Sequence, residues 1–271
     1  MIRLLFTCLA LGPLVGGYVN PAFADNSTVE WQSIDHFTKI PNPKGPTDPN
    51  PEKIRTVALQ DKHWVPKRVE EIKNQMKTSP CDILFLGDSL TEQFEKGPGK
   101  ELWKTIWQPL NAINFGLSGD TTANLLWRID DSKLKTITSP KVCVLLIGYN
   151  DIGRWEGQFP VQETLERTKL ILDKIRQYCP DAQIILTTCF PYNGEPDTVF
   201  RKNADAWNEA LRSIKDDHIH LLDISDDYLI SDASRLRDNS FFVDSVHLSK
   251  KGYEKWNESL LPLVKKLMKK D

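Results

Sequence analysis

No charge of either sign predominates in this chain. Its 271 residues carry 35 Lys and Arg against 37 Asp and Glu, a formal charge of −2. That balance offers no basic surface for nucleic acid and no attraction to an anionic membrane. Beyond the first two dozen residues, no stretch approaches the roughly 20 apolar residues of a membrane-spanning helix. Cysteine is sparse, and the spacing of Cys81, Cys143, Cys179 and Cys189 matches neither a metal site nor a small disulfide scaffold. No Gly-x-Gly-x-x-Gly opens a helix after a strand, which excludes a dinucleotide-binding unit. Internal repeats are absent, and nothing in the pattern asks for a metal or cofactor.

What is present is 40% hydrophobic and 27% charged, ordinary for a soluble globular protein. Residues 1–24 stand apart. Arg3 supplies a positive start, Leu4 to Val15 an apolar core, and Ala22-Phe23-Ala24 a small-x-small cleavage site. The expectation is a secretory signal peptide cut after Ala24, with the mature chain secreted or periplasmic. Cys8 lies too early for a lipoprotein signal. Export permits disulfides. All four mature cysteines are nevertheless expected free, since Cys143 and Cys189 sit in apolar runs and a domain this large needs no staples. One bridge is the alternative. Residues 25–62 hold Pro41, Pro43, Pro46, Pro49 and Pro51, a density that favours an extended arm over a helix.

From residue 63 to 271 one domain is expected. Ile83 to Leu86 is an apolar run without alternation, typical of a strand covered on both faces. Similar runs begin at Ala112, Val142, Ile184 and Ile219, expected to end at Phe115, Ile147, Thr188 and Ile224. Helical stripes lie between them. Trp64, Val65, Val69, Ile72 and Met76 form one, with Pro66 in its first turn; Trp103, Ile106 and Trp107 belong to another. Phe200, Ala204, Trp207, Leu211 and Ile214 make a third. Tyr253, Trp256, Leu260, Val264 and Leu267 make the last, with Ser249 as N-cap and a kink expected where Pro262 breaks the pattern. Alternating strands and helices predict an α/β fold with a doubly wound, five-stranded parallel sheet and helices on both faces. Strand order 2-1-3-4-5, the common solution of flavodoxin-like sheets, is taken by analogy.

In such a sheet the loops after each strand gather at one edge. There stand Ser89 after the first strand, Gly119 after the second, Asn150 after the third, and Asp244 and His247 after the last. That set fits acyl transfer. Serine needs a base, and His247 is the histidine with a nearby carboxylate on the correct edge. Ser89 and Gly119 backbone N–H groups and the Asn150 amide could receive an oxyanion. Asp88, Asp120 and Asp151 are expected to pin loop backbones.

These residues resemble the GDSL, or SGNH, hydrolase superfamily. Its four blocks stand in order as Gly87-Asp88-Ser89-Leu90, Asn114-Phe115-Gly116-Leu117-Ser118-Gly119-Asp120, Gly148-Tyr149-Asn150-Asp151 and Asp244-Ser245-Val246-His247-Leu248. The similarity covers roughly residues 63–268 and is closest to the catalytic subunits of intracellular platelet-activating-factor acetylhydrolase. It extends through Leu126-Trp127-Arg128 and Arg201-Lys202-Asn203-Ala204. The resemblance implies a serine esterase without metal or nucleotide, with Ser89 as nucleophile, His247 as base, Asp244 as orienter, and Gly119 and Asn150 in the oxyanion hole. That subfamily forms dimers, which leaves a homodimer open. It is also cytosolic, unlike a chain with a leader, and carries other residues where Ser118 and Tyr149 stand. Both are positions that could reshape the acyl pocket; Arg154 and Trp155 could line its rim. The expected substrate is a short-chain, acetyl-type ester. The rivals are a carbohydrate O-acetylesterase, a lysophospholipase or thioesterase, and a glycan- or lipid-binding module on a hydrolase scaffold.

Overall fold

Every residue of Ile83–Gly87 (β1) is buried, as an unbroken apolar strand requires. In the computed structural model, which describes residues 64–131, 140–153, 160–192, 195–232 and 234–269, β1 lies inside a five-stranded sheet. Side chains 64–66 and 131 are outside that description, as are the expected leader, the proline-rich arm, Arg154 and Trp155.

The other strands are Ala112–Asn114 (β2), Val142–Leu146 (β3), Gln183–Thr187 (β4) and Ile219–Leu222 (β5). All pairings are parallel and the order is 2-1-3-4-5, as expected. Four strands stop one or two residues short of their expected ends, β4 at Thr187 rather than Thr188. Phe115, Ile147 and Ile224 remain buried, but their chain has already turned into the loops at the sheet edge.

Seven helices matter to the layers: Trp64–Thr78 (α1), Ser89–Lys96 (α2), Thr122–Asp131 (α3), Tyr149–Ile152 (α4), Val161–Tyr178 (α5), Val199–Arg212 (α6) and Lys250–Leu267 (α7). Right-handed crossovers assign their faces. The chain moves one way from β1 to β2, then reverses past β1 to β3, β4 and β5. So α2 covers one face, and α3, α5 and α6 the other. α7 joins α2: Phe94 packs on Tyr253 at 4.9 Å and on Trp256 at 5.1 Å. Beneath them Phe85 of β1 meets Phe94, Trp103 and Trp107 edge-on at 5.9, 5.1 and 5.0 Å. Burying each such ring contributes roughly 1.5–3 kcal/mol.

One element departs from the sequence reading. The tryptophan stripe is not a regular helix: Lys100–Leu102 is a short α-turn, Trp103–Trp107 winds as a π-turn, and Gln108–Leu110 tightens to 3-10 geometry. Asn111, left-handed at φ 54, ends it. The wider turn puts both indoles into the aromatic cluster. The last helix carries Pro262 in its interior. α7 runs unbroken to Leu267, with Leu260, Val264 and Leu267 buried along one stripe. Ser249 caps it as expected, its Oγ accepting from Gly252 N at 3.2 Å. The four cysteines are free and buried.

Candidate active site

β1 ends at Gly87, where a Cβ would lie 2.2 Å from Thr91 Oγ1 and 2.3 Å from the Leu146 carbonyl. Only glycine lets β1, β3 and α2 approach this closely. Asp88 follows as the N-cap of α2, its Oδ1 accepting from Leu90 N at 3.0 Å. With the cap role taken by Asp88, the Ser89 hydroxyl is left to point into the cleft.

His247 reaches that hydroxyl from a turn shaped by Asp244. Oδ1 of Asp244 accepts from Val246 N at 2.8 Å and His247 N at 2.7 Å. Oδ2 lies 2.7 Å from His247 Nδ1, and His247 Nε2 lies 2.9 Å from Ser89 Oγ. The carboxylate selects the Nδ1–H tautomer, so the Nε2 lone pair faces the serine proton. Partial burial by itself would raise the Asp244 carboxyl. Hydrogen bonds from the His247 ring and from the His247 and Val246 N–H groups outweigh it and hold the carboxyl at about 2.

The neighbouring loops meet the same edge. Leu117 N donates to Gly87 O at 3.2 Å, seating the loop after β2 against the end of β1. Asp120 N closes the turn onto Leu117 O at 3.2 Å, with Gly119 at φ 86, a left-handed conformation that favours glycine. Among the described residues, neither Ser89 N nor Gly119 N has a protein partner. Asn150 donates one amide hydrogen to Asp120 O at 2.8 Å, tying the start of α4 to this turn and leaving its second hydrogen unassigned. Gly148 precedes α4 at φ 122; a Cβ there would lie 2.4 Å from Trp207 Nε1.

Of the three aspartates expected to pin backbone, Asp88 and Asp151 accept from backbone N–H directly, and Asp120 acts through an arginine. Asp120 pairs with Arg128 Nε at 2.6 Å, and the same guanidinium donates to the Phe115 carbonyl at 2.8 Å. Asp151 accepts from Thr122 N at 2.9 Å and Thr122 Oγ1 at 2.8 Å, with Arg167 at 3.5 Å. Asp88 differs from both. It is fully buried, its Oδ2 has no partner among the described residues, and burial pushes its carboxyl up to about 7.

Arg128 and Arg167 had no assigned role in the sequence reading, nor did Arg68 or Arg237. Arg237 donates to the Ser245 carbonyl at 2.7 Å and to Asn239 Oδ1, with Phe242 at 4.1 Å beneath it, and so supports the turn that carries His247. For Arg128 a signal existed: a charge among Leu125, Leu126 and Ile129, all buried in α3. Arg68 and Arg167 reach residues 46 and 45 positions away, and Arg237 bonds within its own segment; no hydrophobic period marks any of the three.

Ser118 and Tyr149 also turn out to be anchored away from open space. The Tyr149 hydroxyl donates to the Phe190 carbonyl at 2.7 Å, so its polar end is directed into the core. The Ser118 hydroxyl donates to Glu92 of α2.

Comparison with known proteins agrees with this architecture. A family model for GDSL-like Lipase/Acylhydrolase matches residues 85–255. The chain is 30% identical over 226 residues to platelet-activating factor acetylhydrolase IB subunit alpha2 of Rattus norvegicus, covering 82% of this chain and 93% of that one. Among solved structures it resembles a GDSL-like lipase from Bacteroides thetaiotaomicron, with TM-score 0.60 and 18% identity, covering 74% and 97% of the two chains. It also resembles Axe2, an acetylxylan esterase from Geobacillus stearothermophilus, with TM-score 0.52 and 19% identity, covering 70% and 96%. These two likenesses speak to the fold, while the family match and the rat relative reach the chemistry. The chain belongs to the GDSL-like lipase/acylhydrolase family and is an ester-cleaving hydrolase.

Proposed function

We propose that the protein hydrolyses short-chain, acetyl-type esters through an acyl-enzyme on Ser89. The observation that carries this reading is the continuous hydrogen-bond line from Ser89 Oγ through His247 to Asp244, at 2.9 and 2.7 Å. As Ser89 Oγ attacks the ester carbonyl, His247 Nε2 takes its proton, and Asp244 stabilises the imidazolium. The oxyanion is received by Ser89 N–H, Gly119 N–H and the free amide hydrogen of Asn150. Collapse expels the alcohol, which takes the proton from Nε2. Water then attacks the acyl-enzyme, its proton passing to Nε2. The carboxylic acid leaves as Ser89 Oγ takes that proton back. Nothing in these steps asks for a metal.

The acetyl preference draws on the rat relative, an acetylhydrolase by name. Export is proposed from the character of residues 1–24. The test is a series of p-nitrophenyl esters of increasing acyl length. Acetate should be the best substrate and octanoate poor. Ser89→Ala should lower kcat/KM by about 10⁴-fold or more, and Asn150→Ala by about 100- to 1,000-fold, mainly in kcat. An optimum at long chains would replace the acetyl reading with lipase or thioesterase chemistry. Clean preference for acetylated glycan would select the carbohydrate reading. Full activity in Ser89→Ala would reject the mechanism.

A further inference from the structure

The turn that offers Gly119 N–H is fastened to the same helix that begins with Ser89. One turn into α2, the Glu92 carboxylate faces back across the gap. Its Oε2 accepts from Ser118 N at 2.7 Å and from Ser118 Oγ at 2.5 Å. Its Oε1 lies 3.7 Å from Arg68 Nε, and the Glu92 side chain is only 12% exposed. Arg68, itself buried in α1, grips the rest of the loop. It donates to the Asn114 carbonyl at 2.9 Å and the Gly116 carbonyl at 3.4 Å, and pairs with Glu95 of α2 at 3.0 Å. Asn114 completes the frame, its amide donating to Thr91 O at 2.6 Å while its Oδ1 accepts from Gly116 N at 2.8 Å.

From this arrangement we infer that Glu92 is a positioning residue for the oxyanion hole, setting the Gly119 N–H relative to Ser89 through Ser118. The inference rests on the mechanism proposed above. The physical case is one of leverage. A two-residue turn around a left-handed glycine has soft backbone torsions, and a small rotation of the Ser118–Gly119 peptide would swing the N–H away from its target. Two hydrogen bonds to one carboxylate on Ser118, immediately before that N–H, remove the freedom. Because the carboxylate rides on α2, nucleophile and donor move as one body. Arg68 offsets the negative charge that Glu92 brings close to a site where an oxyanion forms.

The experiment is a set of variants assayed on p-nitrophenyl acetate and on inhibition by ethylboronic acid, whose tetrahedral serine adduct occupies the oxyanion hole. Glu92→Ala should lower kcat about tenfold and weaken boronate inhibition by a similar factor, with KM changing less than about threefold. Glu92→Gln keeps an acceptor oxygen and should retain most activity. Ser118→Ala keeps the N–H contact and should lose less than threefold, and adding it to Glu92→Ala should cost nothing further. Circular dichroism and melting temperature establish that each variant folds. Wild-type kcat and boronate affinity in folded Glu92→Ala would overturn the inference. So would a change confined to KM, or equal loss in Glu92→Gln and Glu92→Ala. Ser89→Ala is run alongside: if it is inactive while Glu92→Ala matches wild type, only the brace fails, whereas an active Ser89→Ala removes the underlying mechanism.

Discussion

Asp88 carries two burdens at one residue. One carboxylate oxygen caps α2, and the other faces the interior without a donor among the described residues. Burial raises its carboxyl from 3.8 to about 7. Unfolded, the group ionises near pH 4; folded, it keeps its proton to about neutrality. Between those values the folded chain holds one more proton than the unfolded chain, so stability falls as pH rises. At about 1.4 kcal/mol per pH unit, the full loss is roughly 4 kcal/mol by pH 8. Asp88→Asn is neutral throughout and lacks this dependence. Urea unfolding at pH 4.5 and pH 8 should therefore show the variant gaining on the wild type as pH rises. A gap that stays constant with pH would mean that Asp88 is ionised in the folded protein. Asp244 behaves oppositely: its carboxyl, held at about 2, stays charged opposite His247 across the whole working range.

At the scale of elements, the cleft floor is held by ion pairs that bridge loops and helices. Asp151 at the start of α4 meets Arg167 of α5 and Thr122 at the start of α3. All of these side chains are nearly inaccessible. Such a pair adds little over an apolar substitute, but removing one partner strands a buried charge. Arg167→Met should therefore destabilise the fold by about 3–5 kcal/mol in denaturant titration. Arg167→Met with Asp151→Asn should cost much less than the sum of the two single changes. Strict additivity would show that the pair is not coupled. Element types were largely legible from sequence, because buried parallel strands and amphipathic helices have distinct periods. The π-turn at Trp103–Trp107 was not, since i, i+3 and i+4 spacing looks alike in regular and widened turns. Pro262 is accommodated inside α7: proline removes one donor, and tertiary packing of Tyr253, Trp256, Leu260 and Val264 outweighs that local penalty.

For the whole molecule, a parallel sheet gathers one loop from each strand at a single edge, which is where Ser89, Gly119 and Asn150 lie and where His247 arrives. Ser89 and His247 are 158 positions apart in the chain, yet Ser89 Oγ and His247 Nε2 are 2.9 Å apart. The proposed export rests on residues 1–24. N-terminal sequencing of protein recovered from the medium or periplasm should begin at Asp25, and ester hydrolysis should follow that fraction. An intact Met1 chain confined to the cytosol would reject export.

The sequence by itself determined the alternation of strands and helices, the layering of helices on both faces and the candidate residues at the sheet edge, while the strand order came by analogy with common sheets of this kind. Burial periodicity, turn chemistry and the handedness of crossovers are local or nearly local properties, and they leave few alternatives. The four motif blocks added the family resemblance, because their order survives as plain text. Only the tertiary structure decided what holds those residues in place. Glu92 on Ser118, Arg68 on Asn114, Arg128 on Asp120, Arg167 on Asp151 and Arg237 on Ser245 are contacts between side chains and loops with no fixed spacing. Their partners are chosen by desolvation: a buried charge or amide must find a partner wherever folding brings one within about 3 Å, and sequence distance does not enter that choice.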